Sequence, residues 1–399
     1  MLKYDTSFKF QLTINFIFFI SFLLVGCTKK SDNSNFIITV EINDNDDKIT
    51  EEQFHKFFKY DRYIIPELSE NSILGEINKV YLINDTLYVM HDKNQISSFN
   101  SEGKFLHAYS HLGQGPGEYS YINDIDIKEG IIYILSRNKI YKYSINDDFI
   151  GSIDLDNAAI GLCLYKDGIV LNNGFGLGSN ATLENYSYTY KGESEILKGI
   201  EFNPLMRGHS YSINGSSSRF IETNDELFTY FPYNDTIYKV DTTGRLFPSF
   251  EIKIKNHNRN INKESTEQEI KSIMNSNEFT LFEAPYKWND FFLFGYRTNL
   301  IPKLALISLK GEVIINGRIG FDSNNLPVSF VPLHSNKYED YILNIIPSEV
   351  LKIIASKKEN LKDYPLLMDL DQKLNENSNP VFVFYKTNFY QKKQENTIK

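Results

Sequence analysis

One pattern returns along the middle of this chain, and it limits the fold more than any other feature. The apolar stretch Leu87-Tyr88-Val89-Met90 is followed by residues 95–100, the turn Ser101-Glu102-Gly103-Lys104, and residues 105–109. The same order recurs at 131–135, 140–145, Asn146-Asp147-Asp148 and 149–155. It recurs at 227–230, 236–241, Thr242-Thr243-Gly244-Arg245 and 246–254, and once more at 291–294, 304–309, Lys310-Gly311-Glu312 and 313–319. A weaker copy runs through 168–171, 186–190 and Lys191-Gly192-Glu193. The turns fall at 103, 148, 192, 244 and 311, so their spacings are 45, 44, 52 and 67 residues. A period near 45 with about four short strands per unit is the signature of a β-propeller blade.

The physics behind the repeat is burial. A lone four-stranded sheet exposes two faces, whereas blades set face to face cover each other. Strands such as 131–135 are accordingly apolar almost throughout, instead of alternating. Tyr 26, Phe 30 and Trp 1 make the chain aromatic-rich, which suits strands. Five copies lie between about 73 and 320, and the ends supply a sixth from 328–333, 338–346 and 380–385. Its closing strand comes from the N-terminal side, either 36–42 or 60–65. A ring left open would expose bare blade faces and sheet edges. Residues 51–60, 263–275 and 347–361 interrupt the pattern and read as short helical pieces, the last two as inserts. The expected fold is all-β, a six-bladed propeller of four-stranded antiparallel blades spanning 36–390, with a polar tail at 391–399.

The N-terminus reads as an address. Lys3 and Lys9 precede an apolar run at 14–25, too short to span a membrane comfortably, which ends Leu24-Val25-Gly26-Cys27. Small residues before a cysteine look like a bacterial lipobox, in which the thiol takes a diacylglyceryl group. The expectation is a signal peptide at 1–26, lipidation at Cys27 and a polar tether at 27–35, anchoring the protein in the outer membrane on its periplasmic or exterior side. Cys163 is then the one remaining thiol, and its apolar neighbours Leu162 and Leu164 mark it as a core residue. Two cysteines exclude a disulfide framework and a cysteine zinc cluster. With 42 Lys+Arg against 51 Asp+Glu the formal charge is −9, which argues against nucleic acid as a partner.

The phrase His111-Leu112-Gly113-Gln114-Gly115-Pro116-Gly117-Glu118-Tyr119, followed by Asn123-Asp124-Ile125-Asp126-Ile127, resembles the six-bladed β-propeller lipoproteins of Bacteroidetes. Similar stretches are Ile73-Leu74-Gly75-Glu76-Ile77, Asn234-Asp235-Thr236-Ile237-Tyr238 and the closing Asn379-Pro380-Val381-Phe382-Val383-Phe384-Tyr385-Lys386. Residues 63–68 depart from that family's tighter Ile-Pro-Leu-Glu phrase. The function of this family is largely unknown, and the resemblance brings no catalytic residues.

Candidate chemistry is sparse. The glycine phrase lacks the Lys-Ser/Thr of a phosphate-binding loop and precedes a strand, so it reads as a turn between blades. Gln114, Glu118 and Tyr119 would be ligand contacts if that loop approached the channel mouth. Asn123, Asp124 and Asp126 open an inner strand, where lactonase-type propellers hold calcium, with Asn78 and Asn214 as further donors. No resident cofactor is expected; calcium is the one ion these residues leave open. His107 and His111 are four apart in a strand-and-turn region and should diverge. No His-Glu-x-x-His or Gly-x-Ser-x-Gly pattern occurs. Arg207 with His209, and Arg297 with Asn299, are loop candidates for an anionic or sugar ligand. The reading is a monomeric binding module for a glycan, peptide or envelope protein. The alternative is a propeller enzyme, a calcium-dependent hydrolase, lactonase-like enzyme or glycan lyase.

Overall fold

The computed structural model describes residues 37–44, 47–175, 183–190, 193–201, 220–222, 226–230, 235–241, 245–255, 264–275, 283–288, 291–298, 301–318, 320, 322, 324, 326–328, 330, 331, 333–335 and 341–387. The described residues open with β1 (Ile38–Ile42), α1 (Glu51–Phe57) and β2 (Phe58–Ile64). A first blade follows: β3 (Ile77–Ile83), β4 (Thr86–His91), β5 (Gln95–Phe99) and β6 (Phe105–Tyr109). The second comprises β7 (Asp124–Lys128), β8 (Ile131–Ser136), β9 (Lys139–Ser144) and β10 (Phe149–Asp154), and the third β11 (Gly161–Tyr165), β12 (Gly168–Phe175), β13 (Leu183–Tyr190) and β14 (Glu193–Glu201). The fourth holds β15 (Phe220–Glu222), β16 (Leu227–Tyr230), β17 (Thr236–Val240) and β18 (Leu246–Ile254). After α2 (Glu267–Asn275) comes a fifth, β19 (Glu283–Trp288), β20 (Phe291–Thr298), β21 (Ile301–Ser308) and β22 (Val313–Arg318). The C-terminal part contains β23 (Phe330–Val331), β24 (His334–Ser335), β25 (Tyr341–Ile346), α3 (Ser348–Ser356), α4 (Pro365–Lys373) and β26 (Val381–Thr387).

These strands assemble into separate antiparallel meanders, the arrangement of a β-propeller. Tight hairpins join neighbouring strands. Asn84 and Asp85 both take positive φ, 49° and 63°, in the two-residue turn between β3 and β4, as a mirror-image hairpin turn requires. Alternation along each strand then sends its side chains to two different neighbours. In β4, Tyr88 and Met90 pack with Ile125, Ile132 and Ile134 of the second blade. Leu87 and Val89, on the opposite face, pack with Leu343, Phe382 and Phe384. That is why Leu87 to Met90 are apolar without alternation. Leu135 and Ile140 likewise meet Leu162 and Leu171, and Phe228 and Phe250 meet Phe292 and Phe294.

The two N-terminal strands have different partners. β2 pairs antiparallel with β26, setting Tyr63 opposite Val383 and Ile64 opposite Phe382, in the sheet β2-β26-β25-β23. The closing strand is therefore Phe58–Ile64. β1 instead adds in parallel to the outer edge of β18, from Ile38 opposite Phe250 to Ile42 opposite Ile254. The chain then crosses to the fifth blade. Asn316 donates to Asn43 O at 2.6 Å, the Asp44 carboxylate meets the buried ammonium of Lys303, and Lys48 bridges in parallel to Arg318. One segment thus covers edges that would otherwise remain open in the fourth and fifth blades. Buried Asn379 joins the two ends of the chain: its amide donates to Ser72 O at 2.7 Å and to Glu67 O at 2.9 Å, and it accepts from Leu74 N at 2.9 Å.

The helices follow local signals. α1 has a reciprocal capping box between Thr50 and Gln53. Ahead of α2, Glu269 returns a carboxylate to Thr266 N at 2.7 Å. α4 is an element that the strand periodicity hides. Pro365 stands at its start and Leu367, Leu370 and Leu374 bury one side of it.

Candidate functional site

The first strands of successive blades lie beside one another, β7 with β11, β11 with β15 and β15 with β19. Each such strand pairs along one edge and needs partners for the backbone groups on the other. Side chains of the preceding blade provide them. Tyr81 of β3 faces the second blade and donates its hydroxyl to Ile125 O at 2.9 Å; Lys79 donates to the same carbonyl at 2.7 Å. Asp124 and Asp126, two apart in β7, point together toward the third blade. Asp124 Oδ2 accepts from Leu162 N at 2.8 Å and Asp126 Oδ2 from Leu164 N at 2.7 Å. Their Oδ1 atoms accept from the next backbone N–H groups, Ile125 N at 2.9 Å and Ile127 N at 2.7 Å.

The charges are buried with these bonds. Lys79 Nζ lies 3.0 Å from Asp124 Oδ1, and both side chains are nearly sealed from solvent. Tyr81 also donates to Asp126 Oδ1 at 3.2 Å. Burial pushes the Lys79 ammonium down, but Asp124 and Asp126 outweigh it and hold the group above its usual range. Burial pushes the Asp124 carboxyl up, against the pull of Lys79 and the amide N–H groups.

Beyond this clamp stand Cys163 and Glu222. Leu162 and Leu164 turn to the second blade; Cys163, on the other face of β11, is buried as the sequence reading expects. Burial, then Glu222 and Asp126, push its thiol well above the normal range. Glu222 ends the three-residue β15 and is itself exposed. Its carboxyl is nevertheless crowded by protein. Burial and then Asp126 raise it to about 8, opposed by Lys79, the Cys163 thiol and Lys128.

A pH effect follows. The folded-state pKa of Glu222 lies above its ordinary 4.5, so between those values the folded protein binds the proton more tightly than the unfolded chain. The Glu222 contribution to stability is full below about pH 4.5 and is lost as pH rises through about 8. In metal-chelating buffer, Glu222→Gln should flatten that decline in urea unfolding, and an unchanged slope would contradict it.

The sequence-derived candidates take varied places. Asp124 and Asp126 lie at the inner strands. Asn123 Oδ1 is turned to Arg137 N at 2.7 Å, and Asn78 Oδ1 accepts from Lys93 N at 3.1 Å. Tyr119 is buried in the core shared by the first two blades. Gln114 and Glu118 are exposed, and their loop follows the outermost strand β6 and packs on β9 and β10 of the second blade. The Tyr143 hydroxyl donates to Gly117 O, and Gly117, at φ +85°, faces the Phe149 ring. Glu118 Oε2 accepts from Gly115 N at 2.8 Å and fills the place that a Cβ at Gly113 would need. These contacts explain the glycines as turn geometry. His107 and His111 do not diverge. Both imidazoles reach Asp147, at 2.8 and 2.6 Å, because the β9–β10 hairpin of the next blade brings that carboxylate between them. Arg297 belongs to β20, whose side chain here, like Arg207, His209, Asn214, Asn299 and Cys27, lies outside the described residues.

Lys79, Tyr81 and Glu222 escape the sequence reading. A lysine in a strand reads as a solvated residue, and only its position in the repeat, matching that of the β7 carboxylates, marks it as inward-facing.

A family model described as a domain of unknown function, DUF4934, matches residues 35–386. The chain belongs to this family. No curated protein matches the DUF4934 chain significantly in sequence. A Bacteroides fragilis protein, described by its predicted export, is similar in structure with a TM-score of 0.68 at 15% identity, over 88% of this chain and 99% of its own. A DUF4221 family member from Bacteroides vulgatus gives a TM-score of 0.50 at 10% identity, over 83% of this chain and 98% of its own. At such identities the similarity concerns the fold. Among the described residues no helix of the DUF4934 chain is long and apolar enough to cross a membrane.

Proposed function

We propose that this protein is an envelope-anchored binding module: a six-bladed propeller, monomeric, held at the outer membrane by lipid on Cys27 and presenting a loop-lined face to a glycan, peptide or partner protein. The blade number is supported by the six sheets of the strand pairing. The anchor is supported by the Leu24-Val25-Gly26-Cys27 pattern, and export by the description of the Bacteroides fragilis protein.

The observation that carries the binding reading is the use made of the inner-strand charges. Lys79, Asp124, Asp126 and Tyr81 are engaged in joining one blade to the next. Groups committed in this way are poorly placed to act as acid or base. The enzyme reading, a hydrolase, lactonase-like enzyme or lyase, has one feature in its favour, the raised carboxyl of the exposed residue Glu222. A glycan and peptide array probed with the full chain carrying Cys27→Ser tests the choice. Saturable binding of one ligand class, with the ligand recovered intact, is expected. Recovery of a cleaved ligand would establish the enzyme reading instead.

A further inference from the structure

Donors of mixed chemistry converge where the first strands of the second, third and fourth blades meet. Asp126 comes from β7, Cys163 from β11 and Glu222 from β15, and one ligating atom from each lies within 4.8 Å of the other two. We propose that Asp126, Cys163 and Glu222 form a binding site for a divalent metal ion of the zinc class, joining three blades from the inside.

The donor set selects the ion. A thiolate with two carboxylates suits a borderline ion such as Zn²⁺, whereas calcium takes six to eight oxygens and has no use for sulfur. Three protein donors leave a fourth tetrahedral position, and the exposed side of Glu222 gives it access to water. Tetrahedral zinc bonds set such donors about 3.3–3.8 Å apart, inside the 4.8 Å that bounds their separations here. Glu222 is the last residue of the three-residue β15 and the one exposed donor of the three.

The surroundings are those of a supported ligand. Asp126 Oδ1 accepts from both Ile127 N and Tyr81 OH, whereas Oδ2 accepts among the described residues from Leu164 N alone, which leaves it a lone pair. Backbone donors of this kind orient a ligating carboxylate. The nearby ammonium groups are occupied elsewhere: Lys79 bonds Asp124 Oδ1 and Ile125 O, and Lys128 bonds Lys166 O at 2.7 Å. Among the described residues no ammonium group is hydrogen-bonded to Asp126 or Glu222.

Cobalt(II) is the probe, because its thiolate complexes absorb strongly by charge transfer in the near ultraviolet. The full chain carrying Cys27→Ser has Cys163 as its single thiol. It should develop that band with one equivalent of Co²⁺, lose it on addition of Zn²⁺, and keep it in millimolar Ca²⁺. Cys163→Ser should abolish the band, and Glu222→Gln should weaken Co²⁺ binding roughly ten-fold or more. Both variants should retain the parent's circular dichroism in chelator. A parent with native circular dichroism and no thiolate band would overturn the proposal. So would a band that survives Glu222→Gln at unchanged affinity, or displacement of Co²⁺ by Ca²⁺.

Discussion

Asp124→Ala is expected to lower the unfolding free energy by about 3–5 kcal/mol, the cost of leaving a buried charge without its partner. The substitution strands the Lys79 ammonium among buried groups and deprives Leu162 N of its acceptor across the blade boundary. Most of the loss is a penalty on what remains, not the net worth of the ion pair. Asp124→Leu combined with Lys79→Met should therefore be less damaging than Asp124→Ala alone, since both charges leave together. Urea unfolding followed by the fluorescence of Trp288, the single tryptophan, measures both. A loss under about 1 kcal/mol for Asp124→Ala would mean that water reaches Lys79 freely and that the inter-blade clamp is not a buried one.

The second large effect concerns the closing sheet. Phe382 is fully buried, and it packs with Ile64 from the N-terminal strand and with Val80, Leu82 and Val89 from the first blade. Phe382→Ala should cost about 3–5 kcal/mol, because it removes a fully buried ring where two sheets pack together. Leu106→Ala is the control. Leu106 is an exposed residue of an outer strand, and its replacement should change stability by about half a kcal/mol or less. If the two variants unfold at the same urea concentration, Phe382 does not sit at a blade-to-blade seam.

The blades were readable because each is a local object. Strand, turn and strand follow one another within some 45 residues, and turns such as Ser101-Glu102-Gly103-Lys104 carry their own signals. Even the weak copy with Gly168 and Gly192 matches strands β12 to β14. What the sequence hid is the choice of distant partners. Residues 36–42 and 60–65 are equally good strands on paper, and only the assembled sheets decide that Ile64 meets Phe382 while Ile42 meets Ile254. The same holds for His107 and His111, whose shared carboxylate, Asp147, arrives from the following blade.

The candidate site was half legible for a related reason. Asp124 and Asp126 announce themselves as paired carboxylates at the head of an inner strand. Their meaning depends on Lys79, two residues into the first strand of the preceding blade, and on the Leu162 and Leu164 N–H groups that they accept from. Backbone groups leave no mark in a sequence. Cys163 was correctly read as buried, but its neighbourhood with Glu222 spans two blades and is visible only in three dimensions.

The account depends on the first strand of the body closing the last sheet, and a crosslink tests it directly. Lys59 and Lys386 are exposed cross-strand partners on β2 and β26. Opposed residues of an antiparallel pair have Cα atoms about 4.5–5.5 Å apart, within reach of a disulfide. In the full chain carrying Cys27→Ser, Lys59→Cys with Lys386→Cys should oxidise to an intramolecular disulfide. That bond closes a loop of over three hundred residues and should raise the unfolding free energy by roughly 5 kcal/mol. Two thiols that stay reduced under oxidising conditions in the folded protein, or that link only between molecules, would contradict the closure.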